Sequence, residues 1–143
     1  MLVRLLPEQV EANWEILAPL ISVGVNPEVG KTRQGMVNIL RSVLMEKLVC
    51  WAYVQDGKFM FLLTTHIKVD AVTLDRQLLI FSFASVRDIN NRIIKHAFLK
   101  LSQYAKANEC RAITGYVADD RLINLYVNEF NADDTYKYIE VPL

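Results

Sequence analysis

The sequence has 143 residues, 52% of them hydrophobic, and 16 lysines and arginines balance 16 aspartates and glutamates. This length and apolar content suit one folded domain over residues 1–143 and exclude a disordered chain. The balanced charge gives no basic surface for nucleic acid. No apolar run approaches the roughly 18 residues that span a bilayer, so we expect no membrane partner. Two cysteines are too few for a disulfide framework, which favours a cytoplasmic protein.

The first third of the chain predicts two helices. One begins at Pro7, a residue suited to the first helical position, and ends or bends at Pro19. The other begins at Thr32 or Gln34 and runs to Lys47, with apolar residues recurring at helical spacing. Both helices are amphipathic, so each needs a partner surface.

Three apolar segments follow and predict strands over Val49–Gln55, Lys58–Val69 and Leu78–Val86. Asp56 and Gly57 between the first two strands form a tight-hairpin signal. The second strand is apolar on both faces. This pattern predicts a sheet that helices cover on both sides.

In the last third the pattern alternates between helices and strands. Asp88 or Asn90 caps a long amphipathic helix that stops at Asn108. The elements predicted after it are a strand Arg111–Val117, a short helix that begins at Asp119 or Asp120 and reaches Phe130, and a strand Thr135–Val141. We therefore predict a mixed α/β fold in the order α-α-β-β-β-α-β-α-β, with a mostly antiparallel sheet and helices on both faces.

This order resembles that of the GNAT family, the GCN5-related N-acetyltransferases, over essentially the whole chain. The stretch Ala107–Ile113 resembles the family's helix end and next strand, and Asp120–Ala132 resembles its short helix with a Leu-Tyr pair. The resemblance implies the GNAT fold and acetyl-CoA as cofactor. It also implies that Tyr126, the tyrosine of that pair, is the general acid that protonates the departing thiolate.

GNAT enzymes hold the cofactor pyrophosphate in a loop before the long helix, with the pattern Gln or Arg, two residues, Gly, one residue, then Gly or Ala. Backbone N–H groups at the helix N-terminus meet the anion there. In this sequence Arg87 fits the first position, while Asn90 replaces the first glycine and Arg92 the second small residue. By resemblance the cofactor-binding candidates are Val86, Arg87, Asn90, Asn91 and Arg92.

The two replacements in this loop have different expected effects. Asparagine tolerates left-handed backbone angles better than most residues, so we expect Asn90 to keep the shape that glycine provides. Arg92 either fills the space of the pyrophosphate or pairs with it. Asp88 places a negative charge beside the same position.

Two functions therefore remain open. The altered loop favours a GNAT-like domain that has lost acetyl-CoA-dependent catalysis and binds no cofactor. Such a domain serves as a structural component of a larger assembly, through protein partners or self-assembly. Because similar domains are phage-encoded, the virion is a second expected location beside the cytoplasm. The alternative is an active N-acetyltransferase with Tyr126 as acid and His66 or Glu129 as base. The two histidines and two cysteines form no zinc-binding pattern.

Overall fold

A computed structural model of the chain describes residues 1–25, 32–117, 120–134 and 139–143. The strands of these ranges are β1 (Leu2–Arg4), β2 (Val49–Gln55), β3 (Lys58–Val69), β4 (Arg76–Ser85) and β5 (Ala112–Gly115). The helices are α1 (Pro7–Ala12), α2 (Trp14–Val23), α3 (Arg33–Leu44), α4 (Asn91–Ala107) and α5 (Asp120–Phe130).

The strands form one sheet in the order β1-β2-β3-β4-β5. Neighbours from β1 to β4 pair antiparallel, whereas β5 lies parallel to β4. The β2–β3 hairpin turns at Asp56 and Gly57, which both adopt the positive φ angles that a tight turn requires. The predicted mixed, mostly antiparallel sheet is confirmed.

The sheet is buried on both faces because alternate residues of β2 and β3 point to opposite sides. On one face Trp51, Phe61 and Leu63 share a core with Ala97 and Leu101 of α4. The opposite face carries the helices before β2, where Val10, Ile21 and Ile39 share a core with Ala52 and Leu62. The prediction of helices on both faces is therefore confirmed.

The prediction of one helix from Pro7 to Pro19 is wrong at its end. The helix stops at Asn13, whose side-chain amide donates to the Gln9 carbonyl at 2.8 Å. A second helix, α2, then continues through Pro19 to Val23. Leu17 and Ile21 on either side of Pro19 are both buried, so packing holds the helix where the proline removes one backbone donor.

Other elements differ from the prediction in their presence or bounds, and β4 and β5 each begin and end within two residues of their predicted limits. Strand β1 is missed because three residues carry no detectable period. Helix α3 ends at Leu44 rather than Lys47, because Glu46 adopts φ 59 and the next two N–H groups both donate to the Ser42 carbonyl. Of the predicted strand Thr135–Val141, residues 135–138 lie outside the described residues and 139–143 form no strand.

Gly24 follows α2 and lies directly against the backbone of β4. A Cβ atom at this position would come within 2.7 Å of the Phe83 nitrogen and 2.8 Å of the Ser82 Cβ. The Phe83 side chain packs in the core on the α4 side of the sheet, so on the other side it does not come between its own backbone and Gly24. Only a residue without a side chain fits this approach.

We expect Gly24→Ala to lower the free energy of unfolding by about 1–3 kcal/mol, because a rigid backbone has to shift to admit the methyl group. Urea denaturation measures the change. Gly115→Ala is the matched control, since its Cβ would be no closer than 3.8 Å to Ile80. Equal stability of the two variants would contradict this account.

An ion pair joins the residues that precede the parallel pair of strands. Arg111 donates from Nε and Nη2 to the two carboxylate oxygens of Asp75, both at 2.8 Å. Gln77 donates to the same carboxylate at 2.9 Å. Nearby, Arg76 Nε donates to the Asn108 carbonyl at 3.0 Å, which ties the start of β4 to the end of α4.

Because of these bonds, the free energy of unfolding varies with pH in the acid range. The hydrogen bonds from Arg111, and then from Gln77, lower the pKa of Asp75 to about 2. The ion pair stabilises the folded state at pH values above about 3.9, the pKa of an aspartate in the unfolded chain. This stabilisation is lost as the pH falls through the lower pKa that Asp75 has in the folded state. In urea titrations below about pH 4, we expect Asp75→Asn to lose less stability than the wild type. Parallel curves for the two proteins would show that the pair contributes nothing.

Candidate functional site

The parallel strands β4 and β5 separate part-way along their length. They pair from Gln77 opposite Ala112 to Ile80 opposite Gly115, where β5 ends. β4 continues for five residues to Ser85 and there pairs with β3. Among the described residues no strand lies on the other side of this last part of β4. The pairing of β4 and β5 therefore ends before β4 does, and we call the region between the strands beyond Ile80 and Gly115 the β4–β5 cleft.

The loop between β4 and α4 is fastened to the first residues of β3. The Val86 N–H donates to the Met60 carbonyl at 3.0 Å, and Arg87 Nε donates to the Phe59 carbonyl at 3.1 Å. Arg87, the loop residue that fits the phosphate-binding pattern, thus already bonds a protein carbonyl through one of its nitrogens. Both residues are otherwise exposed.

Asn90 is the N-cap of α4, so of the two predicted caps, Asp88 and Asn90, the second is the one observed. Its side-chain oxygen accepts from the Ile93 N–H at 3.0 Å. Its φ and ψ angles of −102° and 169° are those of an extended residue. The expectation that Asn90 imitates glycine in a left-handed conformation is therefore wrong, because the side chain bonds the helix N-terminus and needs the extended backbone to do so.

Arg92 lies in the first turn of α4 and is exposed. Its guanidinium forms no hydrogen bond or ion pair with any residue that the structure describes. Asn91 and Asp88 beside it are also exposed. The loop and first turn of α4 thus carry the cap oxygen of Asn90, the exposed guanidinium of Arg92 and the exposed carboxylate of Asp88, where a GNAT loop has glycines.

Tyr126 lies in α5, which packs against α4. The Phe98 and Phe130 rings of the two helices stack with centroids 4.1 Å apart, and Lys95 forms an ion pair with Glu129. The Tyr126 ring lies 6.0 Å from Phe130 in the same cluster. Burial raises the pKa of the Tyr126 phenol above its usual value, so the group is protonated at neutral pH. A protonated phenol suits a general acid, and the assignment of Tyr126 stays a prediction.

The two candidate bases have other partners. Glu129 is the ion partner of Lys95. His66 on β3 is half-buried, and its ring meets Phe81 edge to face at 6.1 Å. A further contact escaped the sequence analysis: the Tyr53 hydroxyl lies 2.9 Å from His96 Nδ1. These two residues are 43 positions apart, so no local sequence pattern predicts their contact.

The described ranges hold no group of three or more metal-ligating side chains. None of their helices has the length and apolar character needed to cross a membrane. Cys50 is fully buried, which raises the pKa of its thiol to about 12 and keeps it protonated.

No family model and no curated protein matches the sequence. Solved acetyltransferase structures do match the fold. A predicted acetyltransferase with acetyl-CoA from Clostridium acetobutylicum superposes with a TM-score of 0.72 at 16% identity, covering 99% of this chain and 95% of its own. The chain has the GNAT fold. The expected fold is thus confirmed.

Two other GNAT-fold structures agree. A ribosomal-protein-alanine N-acetyltransferase from Brucella melitensis has a TM-score of 0.68 at 12% identity, covering 100% of this chain and 99% of its own. An aminoglycoside N-acetyltransferase in complex with CoA has a TM-score of 0.70 at 12% identity, covering 100% and 93%. At such identities the likeness concerns the fold alone, so the chemistry depends on the residues of the cleft and loop.

Proposed function

We propose that this chain is a GNAT-fold domain that has lost acetyl-CoA-dependent catalysis and serves as a structural or protein-interaction component of a larger assembly. One observation carries the proposal. The N-terminus of α4, where the GNAT fold binds pyrophosphate, is capped by the chain's own Asn90.

The cap competes with a phosphate for the same donor. A pyrophosphate binds a helix N-terminus through free backbone N–H groups and the helix dipole. Here the Ile93 N–H already donates to Asn90 Oδ1. Arg87, which would add positive charge, donates to Phe59. Binding acetyl-CoA would therefore cost the bond to the cap before any new bond forms, and Asp88 would repel the diphosphate nearby.

A second function has its own supporting observations. Among the described residues, β4 and β5 are unpaired beyond Ile80 and Gly115, the Arg92 guanidinium has no ion-pair partner, and Tyr126 is a protonated, half-buried phenol. In that case the chain is an N-acetyltransferase with acetyl-CoA as cofactor and an arginine in place of a small loop residue. The location, cytoplasmic or within a virion, stays a prediction under either function.

Calorimetric titration with acetyl-CoA separates the two functions. We expect no saturable heat and no rise in Tm up to about 1 mM cofactor, an upper limit that corresponds to about −4 kcal/mol. Binding at micromolar concentration that Arg92→Glu abolishes would overturn the proposal. In that event, CoA release with a panel of amines tests the enzyme, and Tyr126→Phe should slow it by about 10²-fold if the phenol is the acid.

A further inference from the structure

The turn between β3 and β4, residues 70–75, is a rigid hairpin tip. The Asp70 carboxylate accepts from the Val72 N–H at 2.9 Å and from the Thr73 N–H at 2.8 Å. The Leu74 N–H donates to the Asp70 carbonyl, and the Asp70 N–H to the Asp75 carbonyl, both at 2.9 Å. These four bonds fix the conformation of the hairpin tip.

The hairpin tip presents two apolar side chains to solvent. Val72 is 91% exposed and Leu74 is 70% exposed. Leu74 also has φ 61, a left-handed angle that bulky residues rarely adopt. An ordered turn that exposes two apolar side chains loses little entropy when they are buried against a partner.

A cavity of about 320 Å³ lies on the α4 side of the sheet, at the end opposite the loop before α4. Val49, Ile67, Leu78 and the Tyr104 ring give it apolar walls, and Glu46 and Lys47 also line it. Ile67 belongs to β3, three residues before the hairpin tip begins. The cavity and the hairpin tip therefore lie at the same end of the molecule.

The charges around the two features are complementary. The Arg4 guanidinium lies 5.8 Å from the centre of the Tyr104 ring, and Lys47 lines the cavity. Neither cation forms an ion pair with a described residue, and Glu46 is the single acidic residue of the lining. On the hairpin tip, hydrogen bonds from Thr73 and Val72 lower the pKa of Asp70, which is therefore ionised at neutral pH.

We propose that two copies of this chain associate by exchanging hairpin tips, with Val72 and Leu74 of each copy entering the cavity of the other. Asp70 then comes close to Lys47 of its partner copy. Because donor and acceptor lie at one end of the molecule, a two-fold axis satisfies both contacts at once and closes the dimer. The inference rests on the proposed function and specifies its partner as a second copy.

Sedimentation and light scattering of the full chain, up to about 500 µM, test the association. We expect a concentration-dependent dimer and at least a tenfold weaker association, about 1.4 kcal/mol, for the double variant Val72→Asp/Leu74→Asp. Aspartate tolerates the left-handed angle of residue 74, so this variant keeps its fold. Ile16→Asp, a change of another exposed side chain on α2, is the matched control and should dimerise normally.

Carbodiimide cross-linking of a mixture of isotopically light and heavy protein gives a second readout. Cross-links between Asp70 and Lys47 in peptide pairs of mixed isotope composition support the exchange. A chain that stays monomeric, or a dimer that the double variant leaves intact, overturns it. A monomer without acetyl-CoA binding overturns this inference alone, whereas a dimer that binds acetyl-CoA overturns only the proposed function.

Discussion

The double variant Asn90→Gly/Arg92→Ala is expected to bind acetyl-CoA, and the unaltered chain is expected not to bind it. Glycine at position 90 removes the side-chain oxygen and frees the Ile93 N–H. Alanine at position 92 restores the small residue of the GNAT loop. The helix N-terminus then offers free donors and its dipole to a diphosphate, with no side chain in the way.

The affinity gained is measured by calorimetry, and we expect a dissociation constant below about 1 mM. Glycine is nearly as good a cap as asparagine and costs only a few tenths of a kcal/mol, so the fold should persist. Asn90→Asp is the matched control, because it keeps the cap and adds a negative charge. If the double variant binds no better than Asn90→Asp, the obstacle to acetyl-CoA lies outside the loop.

Phe61→Ala is expected to cost about 3–5 kcal/mol of unfolding free energy, the largest stability effect among the changes considered. Phe61 is 1% exposed and lies between two other rings. It stacks on Tyr53 with centroids 5.0 Å apart and meets Phe83 at 5.1 Å. Removing the ring leaves a cavity that neighbours on two paired strands cannot fill.

Urea denaturation of the purified variant measures this loss. Phe61→Leu is the control, since it keeps most of the apolar volume and should cost less than half as much. A loss below about 1 kcal/mol for the alanine variant would show that the core collapses onto the vacated space, and that the stacked rings add little.

The sheet could be predicted because its signals are local. Asp56 and Gly57 mark the hairpin, and the two-faced apolar pattern of β3 marks a covered strand. The continuation of α2 through Pro19 could not be predicted, because it depends on whether packing of Leu17 and Ile21 outweighs the proline between them. Local preference and tertiary burial opposed each other there, and burial decided the outcome.

In the candidate site, too, the local features could be predicted from the sequence and the long-range contacts could not. An asparagine three residues before Ile93 is one of the two cap signals that the sequence carries, and the structure selects it over Asp88. The bond from Arg87 to Phe59 joins residues 28 positions apart and has no sequence signal. The sequence could thus show that the loop lacks glycine, whereas only the structure shows which bonds have replaced the glycines.

The ion pair between Asp75 and Arg111 also bears on motion. It fastens β4 and β5 where they begin to run side by side, and Arg76 adds a second attachment to the end of α4. The strands part at the opposite end, beyond Ile80 and Gly115. The ion pair therefore holds β4 and β5 together at the end where their pairing begins. Any change in the distance between β4 and β5 would therefore have to occur beyond Ile80 and Gly115, where the two strands are no longer paired.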